Sequence, residues 1–160
     1  MHFPKLLLVI PICAVAGVQA CAPPLHDMSA PSLAQDRAAP GAALLEQALA
    51  GFFDGPGAKA DPPTVCVELS PGGLPAEQEK ALMARFPRLA PRDRCAQAPG
   101  LMDRITGERA VLLQAYGFAC SDADHCTGWT NAPGRPATRW TMQWQAGAWT
   151  FSSDRRLIAE

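Results

Sequence analysis

The chain has 160 residues, with 14 basic and 15 acidic side chains and a formal net charge of −1. So even a balance, without a basic stripe, excludes the electrostatic footprint of a nucleic-acid-binding protein. The length suits a single domain, and an apolar share of 48% is enough to build its core.

The chain opens MHFPKLLLVIPICAVAGVQAC. Lys5 supplies a thin positive start, and Leu6 to Ala16 form an apolar run broken only by Pro11. This is secretory-signal architecture over residues 1–20, too short to span a bilayer. Pro11 also argues against reading it as a first helix of the fold. Val18, Gln19 and Ala20 precede Cys21. The stretch resembles a bacterial lipobox, with an aliphatic residue at minus three, a small one at minus one, and then the cysteine. Gln19 departs from the small or aliphatic residue usual there. The resemblance implies a thiol-linked diacylglycerol on Cys21 and cleavage just before it. With alanine at position 22, it also implies an outer-membrane address facing the periplasm. Val18-Gln19-Ala20 equally suit ordinary signal peptidase, which would release a soluble periplasmic protein. The processed chain would keep 13 basic and 15 acidic residues. No second long apolar segment follows, so membrane contact would be through the lipid, at roughly 0.8 kcal/mol per buried methylene.

Residues 22–40, rich in Pro, Ala and Ser, lack periodicity and read as a flexible tether that includes a solvated His26. A random coil of that length spans about 25 Å. Residues 41–53 place apolar pairs four apart at Leu44/Leu45, Ala48/Leu49 and Phe52/Phe53, which predicts an amphipathic helix started by Pro40 and ended by DGPG. Residues 64–69, TVCVEL, predict a strand with Val65, Val67 and Leu69 on one side and Cys66 and Glu68 on the other. Pro75 opens a second helix, with Glu77 and Glu79 near its positive dipole end, and Pro87 closes it. Residues 87–108 read as irregular.

Strands are then predicted over 109–120, 125–131, 138–145 and 148–153, with Ala146-Gly147 as a tight turn. Trp140, Met142 and Trp144 share one strand face, as do Trp149 and Phe151; Thr141, Gln143 and Thr150 take the other and read as solvated. Strands following helices predict an α+β domain over residues 41–160, with the N-terminal helix packed on a curved antiparallel sheet of about four strands. The order of elements resembles the cystatin-like and nuclear-transport-factor-2-like folds, which would imply a sheet curled around a helix.

Four cysteines remain after Cys13 and Cys21 are set aside: Cys66, Cys95, Cys120 and Cys126. In an exported chain they read as disulfides, Cys120 with Cys126 as the local pair and Cys66 with Cys95 by remainder. The segment CSDADHC between Cys120 and Cys126 invites three readings. As a hairpin loop it brings its two ends within disulfide reach. As a metal site it would need free thiols with His125, but the spacing exceeds that of zinc sites and His125 points away from Cys126 on a strand. Asp122 and Asp124 lack the glycine and distal glutamate of a calcium loop. As a catalytic site it would use His125 as base, oriented by Asp122 or Asp124, with Ser121 as nucleophile. The staple is the reading carried forward, with no catalytic residue, metal or cofactor assigned.

Trp140, Trp144 and Trp149 suit core packing against the first helix, or an aromatic-lined cleft to which Tyr116 and Trp129 would contribute. The expected function is therefore that of an exported, lipid-anchored envelope protein binding a small apolar ligand, a peptide or an envelope protein. The alternatives are an enzyme with a cone-shaped pocket using His125 or a buried carboxylate, and an enzyme inhibitor presenting the 120–126 loop.

Overall fold

The computed structural model describes residues 30–55, 64–97 and 100–154; the signal segment, Cys21 and His26 lie outside the described residues. Helix α1 spans Pro40–Phe53 and buries Leu44, Leu45, Leu49 and Phe53 completely. Strand β1 is Thr64–Leu69 and helix α2 is Ala76–Arg85. Four strands follow a short excursion: β4 Ala110–Cys120, β5 His125–Asn131, β6 Thr138–Gln145 and β7 Ala148–Asp154. Within the excursion, β2 Cys95–Gln97 and β3 Leu101–Asp103 form a separate two-stranded sheet.

The main sheet has five strands in the order β1-β4-β5-β6-β7. Thus the architecture is α+β, but the sheet is mixed rather than antiparallel. The chain returns through α2 and the β2–β3 excursion, so β1 lies parallel to β4, with Val65 opposite Val111 and Val67 opposite Leu113. The irregular reading of residues 87–108 missed β2 and β3 because strands of three residues are too short to show a period of two.

Strand alternation sorts the sheet into two faces. Val65, Val67, Leu113, Ala115, Cys126, Met142 and Trp149 turn toward α1 and form the core. Gly128 permits a close approach: a Cβ there would stand 2.8 Å from Leu44 Cδ2 and 3.2 Å from Phe118 Cδ2. The opposite face is partly covered. Cys66 points away from the core valines and is bonded to Cys95, which staples the β2–β3 sheet over the β1 side. Asp103 on β3 is fully buried there, held by the Arg94 guanidinium and by the Ile105 N–H at 2.9 Å. Those hydrogen bonds, Arg94's first, hold its carboxyl below the usual aspartate range.

One extra residue in β4 shifts the register between Tyr116 and Ala119, with Gly117 at φ +58°. That bulge sets Cys120, instead of Ala119, opposite Cys126, and the two are disulfide-bonded. At the β6–β7 turn, Ala146 and Gly147 both have positive φ, as a two-residue hairpin turn of the I′ kind requires.

Residues 30–39, expected as part of a tether, instead lie on the domain. The 3-10 turn Leu33–Gln35 packs against α1, with Leu33 8% and Ala39 3% exposed. The anchor is Glu46, a buried carboxylate within α1. It accepts from Ser32 Oγ at 2.8 Å and from the N–H groups of Leu33 at 2.6 Å and Ala34 at 3.2 Å, and it forms an ion pair with Arg85, whose Nε stands 2.8 Å away. Arg85 also donates to the Ala30 carbonyl at 2.5 Å.

Glu46→Ala would remove the carboxylate that pairs with the Arg85 side chain, which is 9% exposed. Removing one partner of a buried pair is expected to cost about 3–5 kcal/mol, measurable by urea unfolding at pH 7, with Glu46→Gln losing less because it keeps an acceptor. Replacing Cys66 and Cys95 together by serine should cost about 3.5 kcal/mol, against about 2 kcal/mol for the Cys120/Cys126 pair, because the longer loop closes more chain entropy. The reverse order in paired unfolding curves would show that loop closure is not what these staples contribute.

Candidate functional site

The CSDADHC segment is a hairpin loop between β4 and β5, closed by the Cys120–Cys126 bond. Asp122 organises its interior. Its Oδ1 accepts from the N–H groups of Asp124 and His125, both at 2.8 Å, and its carboxylate meets His125 Nδ1 at 2.9 Å. The Asp124 N–H, then the His125 ring, hold the Asp122 carboxyl below the usual range. Asp124 ties the loop to the body through Arg37 Nη2 at 2.6 Å, and its carbonyl accepts from the Trp144 N–H at 2.8 Å.

Asp122 therefore does orient His125, as the catalytic reading supposed. Ser121 Oγ, however, donates to the His125 backbone carbonyl at 3.3 Å and not to the imidazole, so Ser121 is not aligned with the base. The His125 side chain is 51% exposed on a shallow recess of about 430 Å³ beside Thr127 and Thr141. The buried carboxylates Asp103 and Glu46 are each committed to an arginine. Among the described residues, no group of three or more His, Cys, Asp and Glu side chains is placed to hold a metal ion. No described helix is long and apolar enough to cross a membrane.

The tryptophans divide between the two faces. Trp149 is buried and donates to the Asp36 carbonyl at 3.1 Å; its ring meets Trp144 edge-on at 5.5 Å. Trp140 donates to Thr130 Oγ1 at 2.8 Å and meets Phe151 edge-on at 6.3 Å. These three serve the core face, and each indole N–H named is satisfied within the protein. Trp129 lies on the other face, and Tyr116, 37% exposed, is its cross-strand partner on β4. Arg139 pairs with Trp129 from β6, so Tyr116, Trp129 and Arg139 form one row across the uncovered part of the sheet. Along β5, Thr127 and His125 extend the same face toward the stapled loop.

A second feature escaped sequence reasoning. A recess of about 260 Å³ opens between the C-terminal half of α1 and the ends of β5, β6 and β7. Gly51, Phe52 and Trp140 contribute to its wall, with Gln47, Arg135 and Ser153 around it. Gly51 is the one available signal: glycine in a helix is less stable than alanine by about 1 kcal/mol, and a Cβ there would meet nothing within 4 Å. No packing requirement explains it.

Compared with known protein families, curated proteins and solved structures, the chain matches none.

The lowered Asp122 value sets the acid behaviour of the loop. Ionised Asp122 stabilises it above the unfolded-state value of roughly 3.9, and the contribution fades as pH falls through the lower folded value. The backbone amide resonances of Asp124 and His125 should share a titration step on that acid limb, and Asp122→Asn should remove the shared step. Independent titration of the two would separate them from this carboxylate.

Proposed function

We propose that the chain is an exported, lipid-anchored protein of the bacterial envelope with a non-catalytic, protein-binding role. Its binding surface would be the uncovered sheet face. The row Tyr116–Trp129–Arg139 carries this reading: aromatic and arginine residues are neighbours in the strand register, outside the core, on the face opposite Trp140, Trp144 and Trp149. Residues of these types supply most of the energy in protein interfaces. Export rests on the signal-like start and the lipobox resemblance at Cys21, and two disulfides suit an oxidising compartment. The finer fold assignment, a sheet curled around α1 in the cystatin-like or nuclear-transport-factor-2-like manner, belongs to the same proposal. It is supported by the element order of helix, strand, helix and meander.

The order of residues 30–39 refines the geometry of anchoring. Ala30 is held by Arg85 of α2, on the helical side of the sheet. A chain leaving there toward a lipid on Cys21 would keep the helices nearer the bilayer and the uncovered face away from it.

The inhibitor reading keeps one observation in its favour. The 120–126 loop is exposed, stapled and internally hydrogen-bonded, so little ordering entropy would be lost when it enters a cleft.

A photo-crosslinking residue at Thr127 or Thr141, in cells making the full chain, should capture a discrete envelope partner. Trp129→Ala and Arg139→Glu should reduce the capture by about tenfold or more, as expected for interface anchors. Capture only from a crosslinker at Ala123 would transfer the role to the loop. Intact mass of the purified protein should show acyl chains that Cys21→Ser removes; an unprocessed mass would overturn the anchor without touching the face.

A further inference from the structure

We infer that the recess at the C-terminal half of α1 is a binding site for a small organic anion, an apolar body carrying a single carboxylate. Trp140 and Phe52 furnish the apolar wall, and the Trp140 indole is held in place by its bond to Thr130. Arg135 furnishes the charge. Its guanidinium sits so close over Gly55 that a Cβ there would collide with it, so the missing side chain at Gly55 makes room for the cation. Arg135 forms no ion pair with a described acidic side chain. Gln47 and Ser153 add neutral hydrogen-bonding groups at the rim. Gly51 lines the recess without a side chain, and a Cβ there would meet nothing within 4 Å.

Size narrows the ligand. The volume of about 260 Å³ falls just below the usual range for drug-sized ligands. It suits a bicyclic aromatic acid or a short acyl acid. Both share the chemistry of an apolar body with one carboxylate, which a guanidinium recognises in bidentate fashion. The site is separate from the uncovered sheet face: Trp140 belongs to the core side of β6, whereas Arg139 belongs to the other. The inference therefore stands whether or not the protein-binding reading holds.

The test uses 2-naphthoate and octanoate as probes of the purified full chain, with 2-naphthylmethanol and octanol as neutral counterparts, in calorimetric and ligand-observed NMR titrations. At least one anion should saturate, and its neutral counterpart should bind about tenfold more weakly or worse. Whichever anion binds tighter separates an aromatic from an acyl source. Gly51→Phe, which fills open space on the helix, and Arg135→Gln, which keeps the side-chain length but not the charge, should each weaken binding by about tenfold. Tyr116→Ala should leave it unchanged. Thermal unfolding of each variant verifies its fold, and Arg135→Gln suffices where Gly51→Phe does not fold. Absence of saturation by either anion at millimolar concentration, equal binding of the neutral counterpart, or wild-type affinity in a folded Arg135→Gln would overturn the site.

Discussion

The structure depends on one largely buried carboxylate. Glu46 sits on α1, the helix that fills one face of the sheet, and it is satisfied only when two other parts of the chain are in place. One is the 3-10 turn Leu33–Gln35, which supplies N–H donors; the other is Arg85 at the end of α2. A buried charge left unpaired is strongly destabilising. The pair therefore links the start of the domain, its central helix and its second helix. Leu44, Leu45, Leu49 and Phe53 supply the bulk of the burial, while Glu46 and Arg85 fix which segments lie over them.

That arrangement leaves the sheet two-sided in chemistry. The core side is closed by α1 and by the tryptophans of β6 and β7. The other side is covered near β1 by the β2–β3 sheet, held down by Cys66–Cys95, and among the described residues it remains open over β5 and β6. Chemistry-bearing groups are found mainly at the margins of this scheme. Tyr116, Trp129 and Arg139 lie on the open side, the stapled loop at one end of β4 and β5, and Arg135 at a recess beside the core edge. The buried ionisable groups are consumed in holding segments together.

How much of this was legible before folding varies by element. Helix 41–53 and strands 64–69 and 138–145 could be read almost residue for residue, because their apolar periods are unambiguous and proline or glycine lies close to their ends; strand 125–131 was legible mainly as the return strand of the hairpin. The Cys120–Cys126 pair was legible because it is local. The bulge that aligns it was not, since a register shift depends on which residues the partner strand presents. Nor was the buried role of Glu46. A lone glutamate in an amphipathic helix looks solvated until an arginine 39 positions away in the chain is brought to it.

The sequence by itself therefore determined the local periods, the breaks between them and the export-like start. It also determined the even set of cysteines, since each depends on neighbours a few residues apart. Only the tertiary structure decided that β1 lies parallel to β4, that residues 30–39 belong to the domain, and that Trp140, Trp144 and Trp149 turn inward while Trp129 turns out. It alone brought Arg135 to Gly55 and opened a recess at Gly51. The reason is physical: face, direction and cavity are relations between distant segments, set by burial and charge pairing once the chain is closed, and no local period encodes them.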